Sequence, residues 1–220
     1  MELFDKEGFT NTLRKNKKFM AFGIALFVMG IILGYVGYLY LSESGYIDEE
    51  NTSDTEEMLD HPLLRGMKEK FSFFEKLNTA ERIIFLFLNN LMVSLLAIFF
   101  GAILVLFPVF VAFLNGFLIG LISGTVLNSE GIKYLFAALI PHGIFEIPAI
   151  LISVGLGLKL GYLILHTLVS ILRSRPTKDA EIKSFFKELR SVIVVIVLLL
   201  AIAAFVEALI TPAVITMVGG

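Results

Sequence analysis

His142 and Glu146 are the residues whose types and spacing most favour chemistry, because they lie four apart within the apolar stretch 140–149. Residues four apart share one face of a helix, so the imidazole and the carboxylate would point in the same direction. A chargeable group removed from water is costly unless it is paired or binds a metal. The pair is therefore the first candidate for a functional site.

Further polar residues interrupt other apolar stretches and could meet this pair: Asn89, Asn90, Asn115, Glu207 and Thr211. A histidine, carboxylates and amide oxygens form a ligand set that a divalent cation such as zinc accepts. The same groups could instead relay protons, or could hydrogen-bond to one another and only hold the helices together. The spacing leaves these interpretations open.

Enzymatic motifs are scarce in this chain. The H-x-x-x-E spacing differs from the H-E-x-x-H of zinc proteases, no nucleotide-binding motif is present, and no serine is flanked as a nucleophile. Because the chain has no cysteine, disulfides and thiolate chemistry are excluded. A hydrolase would need a metal-bound water with Glu146 or Glu207 as its base, so a role without catalysis is favoured.

The composition predicts an all-α integral membrane protein that forms a single domain over residues 1–220. Of these residues, 57% are hydrophobic and only 17% are charged, whereas soluble domains carry about 25% charged residues. Five spans are expected, each needing about 20 apolar residues. They fall in 19–41, in two crossings of 83–126 separated near Pro108, in 134–172, and in 192–211.

The tract 134–172 allows two layouts, because it contains Pro141, Pro148 and a glycine-rich stretch around Lys159. In the first layout, one span ends near residues 155–161 and the remainder lies at the membrane interface, where a lysine snorkels most easily. In the second, residues 134–156 contain a broken or re-entrant helix of the kind that lines binding sites, followed by a full span.

Charge patterning sets the expected topology. Residues 1–18 and 173–190 are basic, whereas 42–81 is an acidic segment with an amphipathic helix near 63–77. The positive-inside rule places the N-terminus in the cytoplasm, the acidic segment outside and the C-terminus outside the cell membrane. A count of about 1.5 Å per residue predicts that four side chains meet in the outer half: His142, Asn89, Asn90 and Glu207. Glu146 is expected deeper, where it would either support the ligands or act as a gate, and Asn115 is expected below the cluster.

The expected partner is first of all the lipid bilayer, and nothing in the sequence indicates nucleic-acid binding. Gly30 and Gly34 form a small-xxx-small line on the first span that suits close helix contact. The line either packs within the chain or forms a homodimer.

Taken together, several short motifs resemble the stage II sporulation protein M family over residues 10–216. They are Asn89-Asn90, Asn115-Gly116, the run H-G-I-F-E-I-P-A at 142–149, Glu207-Ala208 and Thr211-Pro212. The resemblance implies a five-span membrane protein. It also implies, through the spore-forming members, a scaffold that recruits peptidoglycan-degrading partners, although the family extends well beyond spore formers.

Three functions are consistent with these observations. The first is a membrane protein with an intramembrane cation or metal site, serving in transport, for which His142, Glu146, Glu207, Asn89 and Asn90 would be ligands. The second is a scaffold without catalytic activity that recruits an unidentified protein partner. The third is a membrane-embedded metallohydrolase.

Overall fold

The computed structural model describes residues 6–44, 73, 76–103 and 105–219, and these form an all-helical bundle. Its helices are α1 (Lys6–Lys15), α2 (Lys17–Glu43), α3 (Thr79–Phe100), α4 (Leu106–Ser129), α5 (Ile132–Leu172), α6 (Asp179–Phe205) and α7 (Thr211–Val218), with a π-helical segment, Val206–Ile210, joining α6 to α7. Within these described residues, five stretches are long and apolar enough to cross a membrane: α2, α3, α4, α5 and the continuous run Asp179–Val218. The predicted fold class is confirmed.

Two short connections lie where the sequence predicts them. The tract 83–126 divides between α3 and α4, and Pro108 occupies the first turn of α4, where its missing N–H costs no helical hydrogen bond. Only Glu130 and Gly131 separate α4 from α5, and Gly131 has a φ of 84°, a left-handed conformation that glycine adopts without steric cost.

α5 is one continuous helix of 41 residues, so the predicted break or re-entrant helix at 134–156 is wrong. Pro141 and Pro148 both lie inside the helix without ending it. In membrane helices, neighbouring helices and side chains satisfy the backbone groups that a proline frees. Residues 155–161 are not a break either, because their glycines are buried contact points within the helix.

The two basic segments are largely helical. α1 occupies most of the described part of the basic N-terminus, and α6 begins within the second basic segment at Asp179. Most of the amphipathic helix predicted near 63–77, like most of the acidic segment, lies outside the described residues.

Ion pairs and cation–aromatic contacts join the helices at the end of the bundle that carries α1. Lys159 lies 3.3 Å from Glu181 and over the ring of Phe19, while Lys15 of α1 pairs with Glu188 at 2.7 Å. A hydrogen bond to Glu181 raises the pKa of Lys178. These contacts tie α1, α2 and α5 to the start of α6.

Glycines bring α2 and α4 into backbone contact. A Cβ at Gly34 would overlap the carbonyl oxygen of Phe117, and one at Gly30 would overlap that of Phe113. Gly116 and Gly120 of α4 make the reciprocal approach to the α2 backbone. Gly30 and Gly34 thus pack against α4 within the chain.

We expect Asn78→Ala to lower the free energy of unfolding by about 1 kcal/mol, since N-cap residues contribute about 0.5–2 kcal/mol. Asn78 forms a capping box with Glu81: the Glu81 N–H donates to the Asn78 side chain, and the Asn78 N–H donates to the Glu81 carboxylate. Thermal unfolding in detergent measures the change. Glu81→Gln preserves the box, so an equal loss in that variant would contradict the explanation.

Candidate metal site

A cavity of about 400 Å³ lies among α2, α3, α4, α5 and the π-helical segment. Its polar lining consists of Asn89, Asn90, Asn115, His142, Glu146 and Glu207. These six residues are the ones that the sequence singles out, apart from Thr211. Tertiary packing therefore brings together residues that are up to 118 positions apart.

His142, Glu146 and Glu207 are close enough to share one ion. Each offers one ligand atom, and these atoms all lie within 4.8 Å of one another. All three side chains are half-buried. Because zinc binds nitrogen and oxygen ligands at about 2.0–2.2 Å, side-chain adjustments of about 1 Å or less would allow three bonds to one central ion. Among the residues that the structure describes, this is the one such group of three or more.

Local helix geometry positions each member of this group. His142 and Glu146 are one turn apart on α5, as their spacing predicts. Glu207 lies in the π-helical segment, a wider turn that often marks functional sites. The segment offsets the helix where the carboxylate faces α5. Glu146 therefore lies beside His142 and Glu207 in this group, and its expected role as a supporting or gating partner stays a prediction.

Thr211 contacts His142 from the first turn of α7. Its Oγ1 lies 3.5 Å from His142 Nδ1, and the residue is only 6% exposed. In metal sites, the second ring nitrogen of a histidine ligand is commonly held by a neighbouring polar group, which fixes the ring orientation. A contact at Nδ1 leaves Nε2 as the ring nitrogen suited to a ligand.

The three asparagines line the cavity with different partners. The Asn89 side-chain amide donates to Asn90 Oδ1 at 2.9 Å, and that of Asn115 donates to the Val111 carbonyl at 2.8 Å. Asn115, which was expected below the cluster, lines the same cavity. Its depth relative to the other polar residues stays a prediction.

The sequence did not reveal the apolar part of the lining: Phe27, Phe85, Leu86, Leu118, Ile119, Ile122, Leu139, Ile147 and Ile150. In the sequence of a membrane-spanning helix, the same apolar residue types occur at positions that face lipid, the protein core or a cavity. The π-helical turn was likewise unpredicted, because no residue in Val206–Ile210 requires it.

Comparison with known proteins supports the family resemblance. The model of the family described as stage II sporulation protein M matches residues 23–212. A Methanocaldococcus jannaschii protein named "Uncharacterized protein MJ0793" is 30% identical over 194 residues, covering 88% of this chain and 93% of the relative. A second protein of that organism, "Uncharacterized protein MJ0706", is 27% identical over 213 residues, covering 96% of this chain and 89% of the relative. No solved structure matches the chain.

Proposed function

The chain belongs to the stage II sporulation protein M family, and from that premise and the geometry of the cavity we propose that it is a multi-pass membrane protein that binds a divalent cation such as zinc. The proposed ligands are His142, Glu146 and Glu207. The asparagine side chains of the cavity provide further oxygen donors. The protein would further transport the bound cation, and cation flux into liposomes that contain the protein would test this role.

One observation carries the proposal. A histidine and two carboxylates from two separate helical elements converge in the lining of one cavity within the membrane-spanning bundle. Two like-charged carboxylates this close repel each other unless a cation or a proton lies between them. A divalent cation balances both charges and satisfies nitrogen and oxygen ligands at once.

The alternative roles receive less support from the described residues. A metallohydrolase needs a base beside its metal-bound water, whereas both carboxylates of the cavity belong to the ligand group. A scaffold needs a surface that recruits a partner, and the glycines of α2 do not provide an open one because they pack against α4. The acidic segment, a second surface on which a partner could bind, lies mostly outside the described residues.

We expect detergent-purified protein, dialysed against zinc and then against buffer, to retain one zinc per chain. His142→Ala and Glu207→Gln should each lose this zinc, because each removes one of three protein ligands. Elemental analysis measures the stoichiometry.

Matched controls make the result specific to the cavity. His166→Ala removes a histidine whose Nδ1 contacts Ser170 Oγ, away from the cavity, and Glu130→Gln removes an exposed carboxylate between α4 and α5. Both should retain zinc. Equal zinc content in the wild type and all four variants would refute the proposed ligands.

A further inference from the structure

The cavity is larger than a bound ion requires. Its volume of about 400 Å³ lies within the range of about 300–1,000 Å³ that is typical of small-molecule sites. Nine of the sixteen lining residues carry large apolar side chains, so most of the wall cannot ligate a cation. This mixture of an apolar wall and a few polar groups is characteristic of sites for organic ligands.

The proposed ligands occupy a small part of the lining, on α5 and in the π-helical segment. The apolar wall comes from several helices: Leu118, Ile119 and Ile122 of α4, beside Asn115, and Leu139, Ile147 and Ile150 of α5, beside the ligands. A ligand that satisfies both parts therefore needs a polar head and an apolar body. Such a molecule is an amphiphile.

The helix packing indicates where a ligand from the bilayer would enter. α4 packs mainly against α2, while α3 packs mainly against α5 and α6. α3 and α4 both line the cavity but make little contact with each other. The space between these two helices is therefore the route by which we expect a bilayer molecule to enter the cavity.

Charge balance indicates which head group the ligand carries. Among the described residues no lysine or arginine lines the cavity, so only a bound cation could balance the charge of an anionic head. A divalent cation and two carboxylates sum to zero charge, and in a site of low polarity a neutral fourth ligand avoids adding uncompensated charge. A hydroxyl oxygen is such a ligand, and a three-residue zinc site keeps one position open for it.

We propose that the cavity binds a long-chain hydroxyl-bearing amphiphile, with its hydroxyl oxygen on the cation and its apolar chain against Leu118, Ile119 and Ile122. This inference rests on the proposed cation site. It assigns the apolar part of the cavity a ligand and predicts that amphiphile binding requires the cation.

The test uses full-length protein in phosphatidylcholine nanodiscs, with and without one equivalent of zinc. Dodecanol, dodecyl phosphate and dodecylamine share one chain and differ only in their heads, and native mass spectrometry counts the bound probe. We expect one dodecanol per zinc-loaded chain and at least tenfold less without zinc. Preference for the phosphate or the amine, or dodecanol retention that is independent of zinc, would overturn the inference.

Matched variants separate the apolar wall from the cation ligands. Ile119→Trp fills the apolar part of the cavity without changing a ligand, so it should retain zinc while losing dodecanol at least tenfold. Ile103→Trp makes the same substitution at a site that is 77% exposed and outside the cavity, and should match the wild type. Leu118→Phe is the smaller substitution should Ile119→Trp fail to fold.

The outcomes distinguish this inference from the proposed function. Zinc binding without dodecanol binding refutes the amphiphile and leaves the cation site intact, whereas failure to bind zinc refutes both. Undiminished dodecanol binding in Ile119→Trp and Leu118→Phe would also refute the inference. Displacement of dodecanol by dioleoylglycerol, a neutral lipid with a free hydroxyl, would identify a bilayer lipid as the source, and its failure would indicate a free alcohol.

Discussion

Gly34→Ala will destabilise the bundle by about 3 kcal/mol, at the upper end of the usual cost of overpacking. The added Cβ overlaps the carbonyl oxygen of Phe117, a backbone atom that cannot move aside as a flexible side chain can. α2 must then separate from α4, and the reciprocal contacts of Gly116 and Gly120 are lost with it. Association between membrane helices depends on such close packing, because lipid provides no hydrophobic drive between them.

Thermal unfolding in detergent measures this effect, with Gly37→Ala as the matched control. A Cβ at Gly37 meets only the ring of Phe117, at an ordinary distance of 3.7 Å. The control should therefore unfold close to the wild-type temperature. Similar unfolding temperatures for the two variants would show that the backbone contact between α2 and α4 does not determine stability.

Without zinc, Glu207→Gln will be at least as stable as the wild type, and with zinc it will be less stable. Without metal, the wild type holds two carboxylates and a histidine within 4.8 Å of one another, and the substitution removes one of the two like charges. The metal-free variant should then be at least as stable as the wild type. Such a gain is common where a functional site holds charges that oppose folding.

Zinc should invert that order. At a free concentration 100 times its dissociation constant, a ligand that binds only the folded state adds about 2.7 kcal/mol. The wild type should gain this stability and the variant almost none. If the carboxylates only hold the helices together, Glu207→Gln will instead be the less stable protein both with and without zinc.

Much of the candidate site was predictable because polar and ionisable side chains are costly inside a membrane and are therefore rare in its spans. His142, Glu146, Glu207 and the asparagines at 89, 90 and 115 stand out against apolar surroundings, and all of them line one cavity. The spacing of His142 and Glu146 further required a shared helix face. Their ligand role stays a prediction.

The sequence by itself determined the helical membrane class, the five spans and the family, because hydrophobic length and short polar motifs are local properties of the chain. Only the tertiary structure decided that α5 continues through Pro141 and Pro148, that Gly30 and Gly34 face α4, and that Asn115 joins the cavity. These features depend on which helix lies against which. In apolar spans nearly every face is hydrophobic, so the sequence pattern leaves the choice of neighbours to shape complementarity between helices.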